Sequence, residues 1–144
     1  MIKIIWVGKL KEKYLEDLVK DYLTRIKKYH KIEVIAIKDS NLDLESKKII
    51  ASLKTKDFNI LLDINGENLS SVEFSDLISD TFNHYGTITF IIGGSNGVSD
   101  EVKDLVNKKI SFSQLTFPHG LFRGILLEQI YRSFKIINNE KYHK

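Results

Sequence analysis

A pair of glycines follows an apolar stretch in the middle of the chain, where residues 91–97 read Ile-Ile-Gly-Gly-Ser-Asn-Gly. Glycines directly after a buried strand let the backbone bend sharply and approach a ligand closely. Their N–H groups, with a helix starting near Ser99, can bind a polar cofactor group. The spacing is not G-x-G-x-x-G, and no lysine follows as in a P-loop. A tight strand-to-helix turn explains the glycines equally well, so both interpretations stay open.

Two further segments place polar residues where apolar stretches end. Asp63 follows such a stretch, and an acid at a strand end commonly faces the ligand crevice of a parallel sheet. Asp63 can equally form a turn with Asn65 and Gly66. Residues 113–119 read Ser-Gln-Leu-Thr-Phe-Pro-His. This mixture suits an adenosine ligand, which takes polar partners at its base edge and apolar surfaces around its ring. An ordinary loop leading into a helix is the alternative.

The last part of the chain carries arginines within an apolar stretch and ends in a basic, aromatic tail. Arg123 and Arg132 can pair with phosphate, whereas Glu128, one helical turn before Arg132, offers an ion pair instead. The tail, residues 138–144, reads Asn-Asn-Glu-Lys-Tyr-His-Lys. Such a segment suits RNA through base stacking and phosphate contact, although a frayed terminus is the default for any chain.

The composition limits the class of protein. The 144 residues, 42% hydrophobic and 28% charged, fit one globular domain spanning residues 1–144. The absence of cysteine excludes disulfides and cysteine-based zinc sites, and the four histidines are scattered, so we expect no metal site. The opening apolar stretch Ile2–Val7 is too short to span a membrane and lacks the features of a signal peptide. We therefore expect a cytoplasmic protein with no membrane partner.

The charge is distributed unevenly along the chain although the net charge is only +3. Residues 1–32 carry nine lysines and arginines against four acids, and residues 119–144 carry five against two. Residues 33–118 carry eight against thirteen. A polyanion would meet both basic ends if they share a face. Lysines that merely solvate two surface helices would give the same distribution, and charge alone favours that explanation.

Strand and helix patterns alternate along the chain and must position these residues. Periodicity and β-branched residues predict strands over Ile2–Val7, Ile32–Ile37, Phe58–Ile64, Thr87–Ile92 and Ile110–Phe117. Helices are predicted over Tyr14–Tyr29, Leu44–Leu53, from the capping box Ser70–Glu73 to Gly86, briefly after Ser99, and over Leu121–Ile137. The alternation predicts an α/β fold, a parallel sheet covered by helices on both faces. Ligands of such sheets bind at the carboxyl ends of the strands, here after Ile64, after Ile92 and around Phe117.

Read together, the motifs of the last third resemble one family. They are Ile92-Gly93-Gly94-x-x-Gly97, Leu115-Thr116-Phe117-Pro118-His119, Arg123, Leu127-Glu128-Gln129-Ile130-Tyr131-Arg132 and Tyr142-His143. In this order they resemble the RlmH family, whose members belong to the SPOUT class of knotted methyltransferases. The resemblance spans the whole chain and is most specific from Ile91 onward.

The resemblance implies a single-domain SPOUT fold with a C-terminal trefoil knot, and a homodimer. It implies an enzyme that uses S-adenosylmethionine to methylate N3 of a pseudouridine in 23S rRNA, in the large ribosomal subunit or the assembled ribosome. The implied cofactor-binding residues are Leu62, Gly94, Ser113, Gln114, Leu115, Thr116, Phe117 and Pro118. The implied catalytic residues, near the acceptor RNA, are Arg132, Tyr142 and His143. The identity of the general base stays open between His143 and water.

The sequence departs from the family pattern at Gly120, where many relatives have glutamine, at Gly124 inside the last helix, and before Tyr142, where a proline is often found. Two other functions remain as alternatives. One is a catalytically inactive RNA- or ribosome-binding factor with the same fold, against which the intact glycine pair argues. The other is a small nucleotide-binding regulatory module, which would not need the basic tail. Cofactor binding discriminates between the enzyme and the first alternative.

Overall fold

A computed structural model describes all 144 residues as a five-stranded parallel sheet with helices on both faces. The strands are β1 (Ile2–Val7), β2 (Ile32–Ile37), β3 (Phe58–Asn68), β4 (Ile88–Ile92) and β5 (Lys108–Ser111), in the order β2-β1-β4-β3-β5. The helices are α1 (Lys13–Lys27), α2 (Leu42–Ser52), α3 (Ser71–Phe82), α4 (Asp100–Leu105) and α5 (His119–Ile137). The predicted α/β class is confirmed. None of the helices combines the length and the apolar character needed to cross a lipid bilayer.

The two faces of the sheet bury two separate apolar clusters. Side chains alternate along β1, so Ile4 and Trp6 join the cluster under α1, α3 and α5, whereas Ile5 and Val7 join the cluster under α2 and α4. Helix α5 packs against both α1 and α3. Its apolar residues Leu126, Leu127, Ile130 and Phe134 are buried within the chain. The apolar character of this helix is thus explained largely by its burial within the chain.

Side-chain caps begin α2, α3 and α4, and the sequence predicted the caps of α3 and α4. The Ser70 hydroxyl accepts from the Glu73 amide at 3.1 Å, and the Glu73 carboxylate accepts from the Ser70 amide at 2.8 Å. The Ser70 amide, and to a lesser extent the Ser70 hydroxyl, hold the pKa of the Glu73 carboxyl below its usual value. Ser99 caps α4 by accepting from the Val102 amide at 3.3 Å. Each cap satisfies an amide that the helix cannot pair internally, and this fixes where α3 and α4 begin.

Strand β3 does not end at Ile64 as predicted, and the Asn65-Gly66 turn lies inside it. Leu62 and Glu67 both pair with Ile110 of β5, so residues 63–66 form an excursion between two paired segments. A Cβ atom on Gly66 would lie 2.6 Å from the Ile110 amide nitrogen. Only glycine therefore allows the excursion to close against the backbone of β5.

The prediction of a strand over Ile110–Phe117 is wrong. Strand β5 ends at Ser111, and the following residues form a loop. The Ser111 hydroxyl donates to the Ser113 carbonyl at 3.0 Å, and the Leu115 amide donates to the Ser113 hydroxyl at 3.0 Å. These side-chain bonds offer the backbone a local alternative to the sheet. Pro118 ends no strand; it immediately precedes α5, where its missing N–H costs nothing.

Candidate functional site

A cleft of about 380 Å³ opens at the carboxyl ends of β3, β4 and β5, at the edge of the sheet where ligands are expected. Half of its lining residues are apolar, which is typical of sites that hold small molecules. The lining residues are Lys103, Phe122 and members of three segments, namely residues 61–64, residues 92–98 and most of residues 110–119. The cleft thus lies between the three loops that the sequence singled out.

The glycine pair after β4 serves both as a turn and as a wall of the cleft. The Gly97 amide donates to the Gly94 carbonyl at 2.9 Å and closes the turn, with Gly97 in the left-handed region at φ 73°. A Cβ atom on Gly94 would lie 3.0 Å from Val7 and 3.2 Å from a carboxylate oxygen of Glu45. The two interpretations of this segment are therefore compatible, because the same tight turn brings its backbone into the cleft.

The loop between β5 and α5 carries polar backbone groups that the fold does not use. The backbone amides of Gln114, Thr116 and Phe117 donate no hydrogen bond in the structure. Leu115 lies in the cleft wall and is 72% exposed. Free amides beside exposed apolar surface fit a nucleoside, whose base edge forms hydrogen bonds and whose ring excludes water. The donor set of this loop therefore fits the adenosine part of S-adenosylmethionine.

Most of the cofactor-binding residues that the resemblance implied lie in this cleft. Five of the eight line it, namely Leu62, Gly94, Ser113, Leu115 and Phe117. Gln114, Thr116 and Pro118 belong to the same loop, but they are exposed and do not line the cleft. Their assignment to the cofactor stays a prediction, as it does for the other five.

The sequence missed several apolar walls of the cleft, of which Ile64 is the clearest. Ile64 is 52% exposed and lines the cleft, although its position at the end of an apolar run predicted only a strand residue. Phe112 and Phe122 line it as well, and their rings lie 5.5 Å apart. The neighbouring Asp63 also faces the cleft, while its carboxylate accepts from the Asn65 amide at 3.1 Å. Both interpretations of Asp63, as a turn former and as a cleft residue, therefore describe the same geometry.

The three implied catalytic residues form a second cluster at the carboxyl end of α5. The Arg132 guanidinium donates to the Glu128 carboxylate through Nε at 2.9 Å and through Nη2, and its Nη1 lies 3.0 Å from His143 Nδ1. The same guanidinium lies 4.8 Å from the ring centre of Tyr142. The predicted ion pair with Glu128 is therefore present, and the structure brings Arg132, Tyr142 and His143 together.

Hydrogen bonds also define the protonation of this cluster. The Tyr142 hydroxyl lies 3.3 Å from the Glu128 carboxylate and 3.4 Å from the Tyr22 hydroxyl. Burial, together with these two neighbours, raises the pKa of Tyr142. The phenol therefore stays protonated at neutral pH and acts as a donor rather than as a base. Because arginine can only donate, the contact with Arg132 requires an unprotonated Nδ1 on His143.

The cleft and the cluster of Arg132, Tyr142 and His143 lie at opposite ends of α5. His119 borders the cleft at the start of the helix, and Arg132 lies thirteen residues later. At about 1.5 Å per residue, these two positions are roughly 20 Å apart along the helix axis. Within one chain, the structure therefore does not bring Arg132, Tyr142 and His143 to the cleft.

Arg123 is buried inside the chain and makes few contacts with polar groups. It is 3% exposed, its Nη2 donates to the Val7 carbonyl at 2.6 Å, and the guanidinium lies 4.8 Å from the Trp6 ring centre. Its Nε and Nη1 have no hydrogen-bond partner. Burial lowers the pKa of Arg123, and the nearby Asp39 carboxylate opposes that shift.

No group of three potential metal ligands gathers anywhere in the chain.

Comparison with known proteins identifies the class that this fold and cleft define. The family model described as "Predicted SPOUT methyltransferase" matches residues 1–143. Among solved structures, the "probable methylase family protein from Haemophilus influenzae Rd KW20" superposes with a TM-score of 0.56 at 9% identity, over 99% of this chain and 70% of that one. The SpoU methyltransferase AviRb from Streptomyces viridochromogenes, solved with the cofactor AdoMet, gives 0.50 at 11% identity, over 92% and 57%. The chain belongs to the SPOUT methyltransferases.

Within that class, a more similar relative specifies the family. The ribosomal RNA large subunit methyltransferase H of Caldicellulosiruptor bescii is 47% identical over 154 aligned positions, which cover 100% of both chains. The chain therefore belongs to the family of large subunit methyltransferase H, and the resemblance noted from the motifs is confirmed. The trefoil knot that the resemblance implied stays a prediction.

Proposed function

We propose that this protein is an S-adenosylmethionine-dependent methyltransferase that methylates N3 of a pseudouridine in 23S rRNA of the large ribosomal subunit. The observation that carries the proposal is the cleft at the ends of β3, β4 and β5, whose loop offers free backbone amides beside exposed apolar side chains. Its relative from Caldicellulosiruptor bescii is named for methylation of large subunit rRNA. The bound cofactor supplies an electrophilic methyl group on its sulfonium.

In this proposal the residues of the cleft hold the cofactor and exclude water. Leu62 and Leu115 provide apolar surface for the adenine ring, and the backbone of residues 113–118 forms hydrogen bonds to the base edge. Gly94 lets the backbone approach without a side chain in the way. Methyl transfer is a direct displacement, so the protein contributes mainly by aligning the acceptor nitrogen with the methyl group.

The acceptor side is assigned to Arg132, Tyr142 and His143, acting from the second subunit of a homodimer. The separation of about 20 Å along α5 supports this arrangement, because one chain cannot bring both groups to the same methyl group. Arg132 would hold an RNA phosphate, and Tyr142 would stack on or donate to the target base. The N3 proton leaves to His143 or to water.

Several further features belong to the same proposal. Residues 1–144 act as one SPOUT methyltransferase domain, with the segment from β5 onward threaded into a trefoil knot. The protein acts in the cytoplasm, on the large subunit or the assembled ribosome. The basic segments at residues 1–32 and 119–144 favour contact with a polyanion such as rRNA.

Two measurements test the reaction. Mass mapping of 23S rRNA from a strain that lacks this protein should show the loss of one methyl group from a pseudouridine, and the purified protein should restore it on ribosomes. Calorimetry should detect S-adenosylmethionine binding to the purified protein. An unchanged methylation pattern would contradict the substrate, and failure of the purified protein to bind the cofactor would favour the inactive RNA-binding factor.

The arrangement across two subunits has its own test. A Gly94→Val variant should not bind cofactor, because its side chain would collide with Val7 and Glu45, and a Tyr142→Ala/His143→Ala variant should lack the acceptor contacts. Mixed heterodimers contain one intact cleft and one intact tail on different chains. If the tail acts on the partner's cleft, the mixture regains activity that neither variant has alone. If it acts on its own chain, mixing restores nothing.

A further inference from the structure

A second, smaller cavity of about 150 Å³ adjoins the cofactor cleft. It lies between the loop after β1, residues 8–12, the segment after β2 at Asp39, and the start of α5. Gly94, Ser95 and His119 line both the cavity and the cleft, so the two spaces are neighbours. A molecule held in the cleft can therefore extend one of its ends into the cavity.

The lining of the small cavity is polar and carries both signs of charge. Only two of its twelve lining residues are apolar, in contrast to the cleft. Arg123 provides a buried positive charge, with Lys9 and Lys11 nearby, and Asp39 and Glu12 provide negative charge. A site for a polyanion would be lined by positive charge alone, and a site for an unstacked RNA base would be lined by aromatic side chains. The lining contains no aromatic ring apart from the imidazole of His119, so neither ligand fits it well.

Arg123 and Asp39 face each other across Gly8 without pairing. A Cβ atom on Gly8 would lie 3.4 Å from Arg123 Nη2 and 3.4 Å from an Asp39 carboxylate oxygen. Gly8 has a φ of 96°, a backbone conformation that favours glycine, and glycine places no side chain in this space. No ion pair joins Arg123 and Asp39. Nε and Nη1 of the guanidinium are buried without a hydrogen-bond partner, so its positive charge is only partly compensated within the chain.

We propose that this cavity binds the amino-acid end of S-adenosylmethionine, with Arg123 receiving its carboxylate and Asp39 its ammonium group. A zwitterion matches an unpaired guanidinium and carboxylate on facing walls, since each charge finds its opposite. The inference rests on the proposed function, because it concerns the cofactor of that reaction. It adds two specificity-determining residues to the backbone and apolar contacts of the cleft.

The test compares two ligands that share the adenosine part. S-Adenosylhomocysteine carries the amino-acid end, and 5′-methylthioadenosine lacks it. In calorimetry with the full chain, the dissociation constant of S-adenosylhomocysteine should be at least tenfold lower than that of 5′-methylthioadenosine. A tenfold difference is about what one charge-assisted hydrogen bond contributes to binding. Asp39→Asn should remove most of that difference and leave 5′-methylthioadenosine binding unchanged. Asp80→Asn, an exposed carboxylate on α3, should change neither constant.

Arg123→Lys keeps the charge but removes the planar donor pair, and it should weaken only the homocysteine compound. Arg123 also joins α5 to β1 through its hydrogen bond to Val7, so the Arg123→Lys result counts only if the unfolding midpoint of the variant stays near that of the parent. If the midpoint falls, the result for Asp39→Asn alone tests the inference. Equal binding of the two ligands by the parent chain overturns the inference and leaves the proposed function intact. Equal weakening of both ligands by Asp39→Asn does the same. Failure of the parent to bind either ligand contradicts the proposed cofactor as well.

Discussion

The two ends of α5 border two functional regions that differ in how their polar groups are satisfied. At the start of the helix, the loop between β5 and α5 leaves backbone amides free, and Leu115 projects its side chain into the cleft. At its end, Glu128 accepts from Arg132 and Tyr142, and Lys135 pairs with Glu140. The first region has backbone amides that are free to bind a ligand, whereas most polar groups of the second region already form hydrogen bonds with one another.

This difference distinguishes the groups available to bind a ligand from the groups that stabilise the fold. Groups that the fold does not use contribute little to its stability, so changing them should alter binding alone. Groups engaged with one another contribute to stability, and RNA must displace some of those contacts before it can use them. The cleft is therefore prepared for its ligand, and the cluster around Arg132 is expected to rearrange when the acceptor binds.

The largest effect on stability is expected at Gly66, in the excursion of β3 that follows the cleft residues 61–64. Gly66→Ala places a methyl group 2.6 Å from the Ile110 amide, within the backbone of β5. We expect the free energy of unfolding to fall by about 2–3 kcal/mol, because backbone cannot move aside as a side chain can. Urea denaturation measures this. Gly86→Ala is the matched control, since nothing lies within 4 Å of its Cβ position, and a similar loss there would contradict the explanation.

The next effect concerns the satisfied cluster. Arg132→Met removes the charged partner of Glu128, a carboxylate that is 19% exposed, and leaves it with only the neutral donors Tyr142 and Gln129. We expect about 1–2 kcal/mol less stability, because a half-buried charge loses its hydrogen bonds. Cofactor affinity should not change, since the cleft is roughly 20 Å away along the helix. A loss of cofactor affinity in this variant would remove the distinction between the two regions.

A smaller effect, on binding alone, is expected at Leu115. Leu115→Ser removes exposed apolar surface, so stability should stay within about 0.5 kcal/mol of the parent. Cofactor affinity should fall roughly fivefold, because the leucine would otherwise be covered by the ligand. Leu105→Ser removes another exposed leucine, one that lies outside the cleft, and should leave affinity unchanged. Destabilisation by Leu115→Ser would show that the loop packs more tightly than its exposure indicates.

The smallest effect is a pH dependence of the tail. Hydrogen bonds from Lys135 and Tyr29 lower the pKa of Glu140, so its contacts are present above the ordinary carboxyl pKa of about 4.3 and lost as pH falls through the lowered value. The contacts of Glu140 should therefore be lost in acid, and the tail that follows should loosen there. Amide NMR of the tail measures this, and Glu140→Gln should give the loosened state at neutral pH. If the tail of Glu140→Gln gives the same spectrum as the parent at neutral pH, this anchor is excluded.

Local patterns predicted most of the fold. The strands Ile2–Val7 and Ile32–Ile37 have the predicted bounds, and the Ser70–Glu73 capping box begins its helix, because each depends on residues a few positions apart. The strand over Ile110–Phe117 was wrong because its end is decided by pairing with Glu67 and Asn68, more than forty residues earlier. No pattern within residues 110–117 carries that information.

The site was predictable to a similar degree. The motifs indicated the cleft residues through the resemblance, and five of the eight line the cleft that the structure contains. The bond from Arg123 to Val7 spans 116 positions, and the contact of Tyr142 with Tyr22 spans 120. Such contacts depend on the packing of α5 against β1 and α1, so the small cavity and the satisfied tail cluster were beyond sequence patterns.

The two edge strands of the sheet bear on how copies of this protein meet. Strand β5 is four residues long and begins with Lys108 and Lys109, and β2 is flanked by the exposed Lys31 and Lys38. Short edges and charged flanks discourage another chain from extending the sheet by backbone pairing. We therefore expect crowded or partly unfolded copies to resist edge-to-edge aggregation. Any specific pairing is left to the helical surfaces, where side chains rather than the backbone choose the partner.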